Sequence, residues 1–163
     1  MHRAARRRSA VGATAALLLG LAATGCSSSP SRPSIPATPP QPQSLQADSV
    51  ASQEFGLLAG GGWAQAWSLW DESGQQAISQ ADFVRLNTEC RPAVGAPYAI
   101  DRSTTVDPTT VRVDWHRATT AGSNTMVYQA GRWHFVPDQG ALADYRLGAD
   151  QLLRRRRAAG ACN

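Results

Sequence analysis

The hydrophobic pattern of this chain changes its period between Cys90 and Tyr98, and this change constrains the fold more than any other feature. Before it, apolar residues recur at the spacing of an amphipathic helix. After it, apolar and polar residues alternate in short segments separated by turn signals, which is typical of an antiparallel sheet. Helices followed by such a sheet predict an α+β fold.

Helices are predicted throughout the first half of the folded region. The first ends at the glycine run 60–62, because each glycine costs roughly 1 kcal/mol inside a helix. A second helix carries four apolar residues on one face and stops at 71–74. Ser79 and Asp82 form a variant of the capping box that opens a third helix, which ends at Cys90. The four apolar residues of the second helix are Trp63, Ala66, Trp67 and Trp70.

About four strands are predicted after Tyr98, and a short Arg-rich helix is predicted over Ala149–Ala159. Turn or loop signals lie at 107–108, 119–123 and 130–132. The expected architecture has N-terminal helices packed on a curved antiparallel sheet, followed by the short C-terminal helix.

The first 25 residues predict an export signal. A cationic segment, Met1–Arg8, precedes an apolar stretch that is shorter than the ~20 residues needed to span a bilayer. The stretch ends in Leu21-Ala22-Ala23-Thr24-Gly25-Cys26, which resembles the lipobox of bacterial lipoproteins. The resemblance implies cleavage before Cys26, lipidation of its sulfur and a place on the extracytoplasmic face of the cell membrane. The alternative is an ordinary secreted protein that is cut nearby.

Residues 26–48 are predicted to form a disordered tether, and the folded domain is predicted to span 49–163. The tether holds six of the ten prolines and is otherwise rich in Ser, Gln, Ala and Thr. Such a composition buries too little apolar area to offset chain entropy, so an extended chain with polyproline II character is expected. The alternative is that this segment is a docking ligand for an aromatic groove, which is a less favoured interpretation outside a bacterial membrane.

The net charge of +4 comes from basic residues in the predicted export signal. Four of the 16 basic residues lie within the first eight positions, so the residues after Gly25 carry twelve arginines against twelve acids. A nucleic-acid-binding domain needs a concentrated basic surface, and no such function is expected. The arginine run 154–157 is interpreted as a solvated helix end, with docking on an anionic lipid or polymer as the alternative.

Two cysteines remain if Cys26 carries lipid. Cys90 and Cys162 would then form an even pair in an oxidising compartment, which predicts a disulfide. A catalytic cysteine is disfavoured because neither residue lies in a CxxC motif or beside a local base. Paired metal-ligand spacing is missing from the sequence, so no metal site is expected.

Five residues form the candidate site, as a pocket lining or as a polar face of the sheet: Tyr98, Asp114, His116, Tyr128 and His134. Histidines near a carboxylate are able to transfer protons near neutral pH. The preferred interpretation is a solvated sheet face, because Asp114 and His116 alternate with apolar neighbours. The tryptophans are interpreted as core residues, with a pocket lining as the alternative.

The run Phe55–Trp70, with its small-residue break followed by aromatic and Ala-aromatic positions, resembles the opening of the NTF2-like superfamily. Phe83 and the later hairpin with Trp133 and Phe135 are similar to the same pattern. The resemblance covers most of 49–137 and implies a cone-shaped half-barrel whose helices and sheet enclose a pocket. Some members of the superfamily are isomerases or dehydratases and many are non-catalytic binding modules, so the fold alone does not select a function.

The resulting expectation is a lipid-anchored extracytoplasmic binding or accessory module of the bacterial cell envelope, without catalysis or a cofactor. The alternatives are a pocket enzyme of the ketosteroid-isomerase-like type, acting on a small apolar molecule, and a structural spacer of envelope complexes. The expected partners are the membrane and an envelope protein or small apolar ligand, and the oligomeric state is left open. An ionisable group buried in the cone would favour the enzyme.

Overall fold

The structure, a computed structural model, describes residues 42–92 and 94–162. Within them, four helices precede a four-stranded sheet and two short helices follow it. The elements are α1 (Ser44–Gly60), α2 (Trp63–Ser68), α3 (Glu72–Ala77), α4 (Gln80–Glu89), β1 (Ala99–Asp107), β2 (Thr110–Arg117), β3 (Thr120–Gln129), β4 (Arg132–Val136), α5 (Gln139–Tyr145) and α6 (Ala149–Ala158). The predicted α+β class is confirmed. The predicted export signal, Cys26 and most of the tether lie outside the described residues.

Helix α1 begins at Ser44, before the domain start at position 49 that the sequence predicts. It buries Ala47, Ala51 and Phe55, which recur every four residues and therefore share one face of the helix. The glycine run ends α1 as predicted, because Gly61 adopts a left-handed conformation with φ of 81° and its amide donates to the Leu57 carbonyl.

The segment 71–74 begins a helix, so the prediction that it only stops one is corrected. The Asp71 carboxylate accepts a hydrogen bond from the Gly74 amide at 3.1 Å and caps α3. The cap at the start of α4 is confirmed, since the Ser79 hydroxyl accepts from the Asp82 amide at 3.1 Å. Trp70 lies outside α2, where its backbone forms a parallel bridge with Phe135 of β4.

The four strands form an antiparallel meander in the order β1-β2-β3-β4. The prediction of a loop at 119–123 is wrong, because β3 already begins at Thr120. Gly122 pairs with Trp115, and a Cβ on Gly122 would lie 2.6 Å from Cζ2 of the Trp115 ring. The glycine that suggests a loop is therefore the residue that leaves room for the Trp115 ring against the strand.

Strand β1 lies at one edge of the sheet, and its residues are mostly exposed. Its pairing with β2 is interrupted twice, between Ile100 and Arg102 and between Thr105 and Asp107. Each interruption places one extra residue in β1, which bends the strand and increases its twist.

The core lies between the helices and the inner face of the sheet, where Phe83, Leu86, Val113, Met126 and Leu152 are almost completely buried. None of the helices within residues 42–92 and 94–162 is long and apolar enough to cross a membrane.

A disulfide joins Cys90, at the end of α4, to Cys162, four residues after α6. The bond is compatible with the pairing that the sequence predicts. It holds the C-terminal segment against α4, and α6 also contributes buried leucines to the core.

Candidate functional site

The predicted site residues divide between the two faces of the sheet. Asp114 and His116 lie on the outer face at the surface, where Arg112 Nε donates to Asp114 Oδ1 at 2.8 Å and His116 Nδ1 lies 2.6 Å from Asp101 Oδ1. In each pair, at least one of the two side chains has a third or more of its surface exposed to solvent. Exposed ion pairs contribute little to stability, so neither pair does much to hold the fold together. They form the solvated polar face that the alternation predicts.

His134 also projects from the outer face, but its side chain is buried and contacts the backbone of the segment 69–71. Its Nδ1 lies 3.1 Å from the Trp70 carbonyl, and Arg132 Nε donates to its Nε2 at 3.2 Å. These two bonds place the proton on Nδ1 and use both ring nitrogens.

The structure does not bring the two histidines together. His134 pairs with Val127, which pairs with Thr110, whereas His116 lies six residues further along β2. At roughly 3.3 Å per residue, that spacing is about 20 Å. The hypothesis of a histidine pair that transfers protons therefore has no geometric basis.

Tyr98 and Tyr128 belong to the inner side of the sheet. The Tyr98 ring stacks on Phe55 with centroids 4.9 Å apart, and the Tyr128 ring meets Trp133 edge to face at 5.4 Å. Only Tyr98 of the five predicted residues reaches the cavity that we take as the candidate site.

A cavity of about 190 Å³ lies between α1, the inner face of the sheet and α5. Aromatic side chains from six parts of the fold supply half of the residues that line it. These are Phe55, Trp70, Tyr98, Trp115, Phe135 and Tyr145. The few polar side chains at its wall include Glu54, Asn124 and Asp138, and the first of these is the residue that our sequence analysis missed.

Glu54 is completely buried, because it shares a face of α1 with Ala47 and Ala51. Trp70 Nε1 donates to its Oε1 at 2.9 Å, whereas its Oε2 has no hydrogen-bond partner among the described residues. Burial raises the pKa of Glu54 to about 8, and the bond from Trp70 opposes this shift only in part. At neutral pH the carboxyl is therefore mostly protonated, with its proton on Oε2.

Trp70 is held in place from two directions. The Asp71 amide donates to the Phe135 carbonyl at 2.9 Å, and the Phe135 amide donates to the Leu69 carbonyl at 2.8 Å. The Trp70 ring stacks on Tyr145 with centroids 5.6 Å apart. The backbone bridge to β4 and the ring contact with α5 together aim the indole N–H at Glu54.

Asn124 and Asp138, two further polar side chains at the cavity, form hydrogen bonds within the protein. Asn124 accepts from Trp115 Nε1 at 2.8 Å and donates to the Val136 carbonyl at 3.1 Å. Asp138 Oδ1 accepts from the Ala141 amide at 2.9 Å and caps α5. Burial raises the pKa of Tyr145 to about 12, so its phenol stays neutral. Glu54 Oε2 is thus the buried oxygen at the cavity wall that has no hydrogen-bond partner among the described residues.

Replacing Gly122 with alanine should disturb the cavity wall, because the new methyl group would collide with the Trp115 ring. We expect a loss of about 1–3 kcal/mol in the free energy of unfolding, measured by urea denaturation. A shift in tryptophan fluorescence of the folded protein should accompany it. Ser123→Ala, at the exposed next position, serves as the control and should leave both quantities unchanged. Equal behaviour of the two variants would contradict the prediction.

Comparison of this chain with protein-family models, with curated proteins and with solved structures gives no significant match.

Proposed function

We propose that this chain is a lipid-anchored extracytoplasmic binding module of NTF2-like type, and that its aromatic cavity holds a small molecule. The observation that carries the proposal is the cavity itself, in which one buried carboxyl oxygen without a partner lies behind a largely aromatic wall. Ligand sites in proteins are commonly apolar clefts with a few convergent polar groups. The helices packed on an antiparallel sheet are compatible with the proposed fold relationship.

Burial of Glu54 supports a binding role because a buried carboxyl without a full set of hydrogen bonds destabilises the fold. An apolar residue at this position would pack against Phe55 and Trp70 without that cost. Groups that cost stability in this way are concentrated at functional sites.

Native mass spectrometry of the full chain, purified from its own membrane, tests the proposal. Ala141 lines the cavity from α5, whereas Ala143 is exposed on the same helix. We expect wild type and Ala143→Leu to retain a small molecule and Ala141→Leu to lose it. If wild type carries none, or if Ala141→Leu retains it equally, the cavity is not a binding site.

An envelope protein remains a second proposed partner. Crosslinking in the native membrane, followed by affinity purification, should enrich one envelope protein in amounts close to those of this chain. If no protein is enriched, the accessory role is contradicted as a stable complex, while binding of a small molecule would be unaffected.

The buried carboxyl also favours the alternative of a pocket enzyme of the ketosteroid-isomerase-like type. Glu54 would then exchange a proton with a carbon next to a ligand carbonyl. Incubation of a small cyclic ketone in heavy water tests this role by NMR. An enzyme would speed deuterium incorporation, and Glu54→Gln would abolish the acceleration. Equal rates with wild type and Glu54→Gln would exclude this role for Glu54.

A further inference from the structure

We propose that the ligand of this cavity is a small organic cation, such as an ammonium compound, whose charge lies toward Glu54 and whose apolar part lies among the aromatic rings. The inference rests on the proposed binding function and adds the chemical class of the ligand.

The signs of the charges at the cavity exclude an anion as the preferred ligand. Glu54 and Asp138 both contribute carboxyl groups to the lining. Among residues 42–92 and 94–162, no arginine or histidine side chain lines the cavity. An anionic group would therefore meet the Asp138 carboxylate and no compensating base, whereas a cation would be attracted by Asp138 and by the Glu54 carboxylate once Glu54 has released its proton.

The aromatic lining also favours a cation. The faces of aromatic rings attract cations through their quadrupole, and desolvated sites strengthen this attraction. Within the same ring cluster, the Arg117 guanidinium carbon already lies 4.9 Å from the Tyr98 centroid. A purely apolar ligand would use the rings, but it would leave Glu54 Oε2 without a partner.

The cavity volume of about 190 Å³ limits the ligand to a small molecule. Glu54 has no exposed surface, so a ligand contacts its oxygen only when a neighbouring side chain moves.

Binding of a cation would be linked to ionisation of Glu54. Where the carboxyl is protonated, binding must release that proton, and the affinity should rise about tenfold per pH unit until the carboxyl is ionised in the free protein. The other titratable groups at the cavity are Tyr98, Asp138 and Tyr145, with Arg117 over the Tyr98 ring and Asp48 earlier on α1.

The test compares two probes of nearly equal shape, cyclohexylammonium and cyclohexanol, by isothermal titration calorimetry on the full-length protein at pH 6, 7 and 8. We expect the ammonium to bind at least tenfold more tightly than the alcohol at pH 8. Its affinity should rise about tenfold from pH 6 to pH 7, and about one proton should be released per ligand at pH 6. Buffers of different ionisation enthalpy report that proton.

Two variants identify the group responsible. Glu54→Gln keeps an acceptor for Trp70 and should lose the preference for the cation, the pH dependence and the proton release. Asp138→Asn, which removes the other acid and keeps a helix-capping residue, should retain all three.

The outcomes separate the ligand class from the binding function. If the alcohol binds as tightly as the ammonium, or if Glu54→Gln keeps the preference, the cavity binds small molecules but the assignment to cations is overturned. If neither probe binds wild type at millimolar concentration, the cation assignment fails; retention of a small molecule that Ala141→Leu loses would then show that the binding function itself stands.

Discussion

Raising the pH from 5 to 8 should destabilise the wild-type protein relative to Glu54→Gln by on the order of 1 kcal/mol per pH unit. The pKa of Glu54 is about 8 in the folded protein, whereas an ordinary glutamate has a pKa near 4.5. Between these values the folded state holds a proton that the unfolded state has released. The stabilisation from this proton is fully present below pH 4.5 and is lost as the pH rises through 8.

Chemical denaturation at pH 5, 6, 7 and 8 measures this effect. The difference in unfolding free energy between wild type and Glu54→Gln should change steadily with pH. Glu72→Gln, at an exposed position of α3, is the matched control. The difference in unfolding free energy between this variant and wild type should stay constant with pH. Asp107 and Asp150, whose pKa values are lowered by hydrogen bonds from Thr109 and from Arg85 respectively, titrate below this window. A constant difference between wild type and Glu54→Gln would contradict the buried, protonated carboxyl.

Cys162→Ser should lower the free energy of unfolding by about 4 kcal/mol. The disulfide closes a loop with a sequence separation of 72 residues, so its loss restores much conformational entropy to the unfolded chain. Cys162 is the better position for the substitution because it is half-buried, whereas a serine at the buried Cys90 would add an unsatisfied hydroxyl.

Denaturation with and without a reducing agent checks this prediction. Reduction should destabilise the wild-type protein to about the level of Cys162→Ser and should leave the variant unchanged. Wild type that is equally stable in both conditions would show that the bond does not contribute to stability.

The sequence predicts the order of helices and strands because the local signals agree with the tertiary contacts. The glycine run ends α1, Ser79 caps α4, and alternation marks the strands on each side of the Asp107-Pro108 turn. Prediction fails where tertiary contacts decide the local structure. Trp70 has helical spacing from Trp67, but its backbone pairs with β4, and Gly122 continues a strand because Trp115 covers it.

Glu54 could not be recognised from the sequence because the predicted start of the folded domain was too late. With the domain placed from position 49 onward, the apolar stripe of α1 lacks its first member, Ala47, and the buried face cannot be recognised. With α1 starting at Ser44, Ala47, Ala51 and Phe55 mark that face, and Glu54 lies three residues after Ala51 on it. An acid on the buried face of an amphipathic helix is the signal that identifies the site. Its desolvation depends on contacts with distant segments, which periodicity does not reveal.

The two extra residues in β1 have a consequence for the behaviour of the protein at high local concentration. An open edge strand offers its free amides and carbonyls to any extended chain nearby, and this is a common start of aggregation. In β1 the regular spacing of these groups holds only from Arg102 to Thr105, between the two interruptions. In a crowded population of such chains on one surface, β1 would therefore offer only a short template to which another strand could be added.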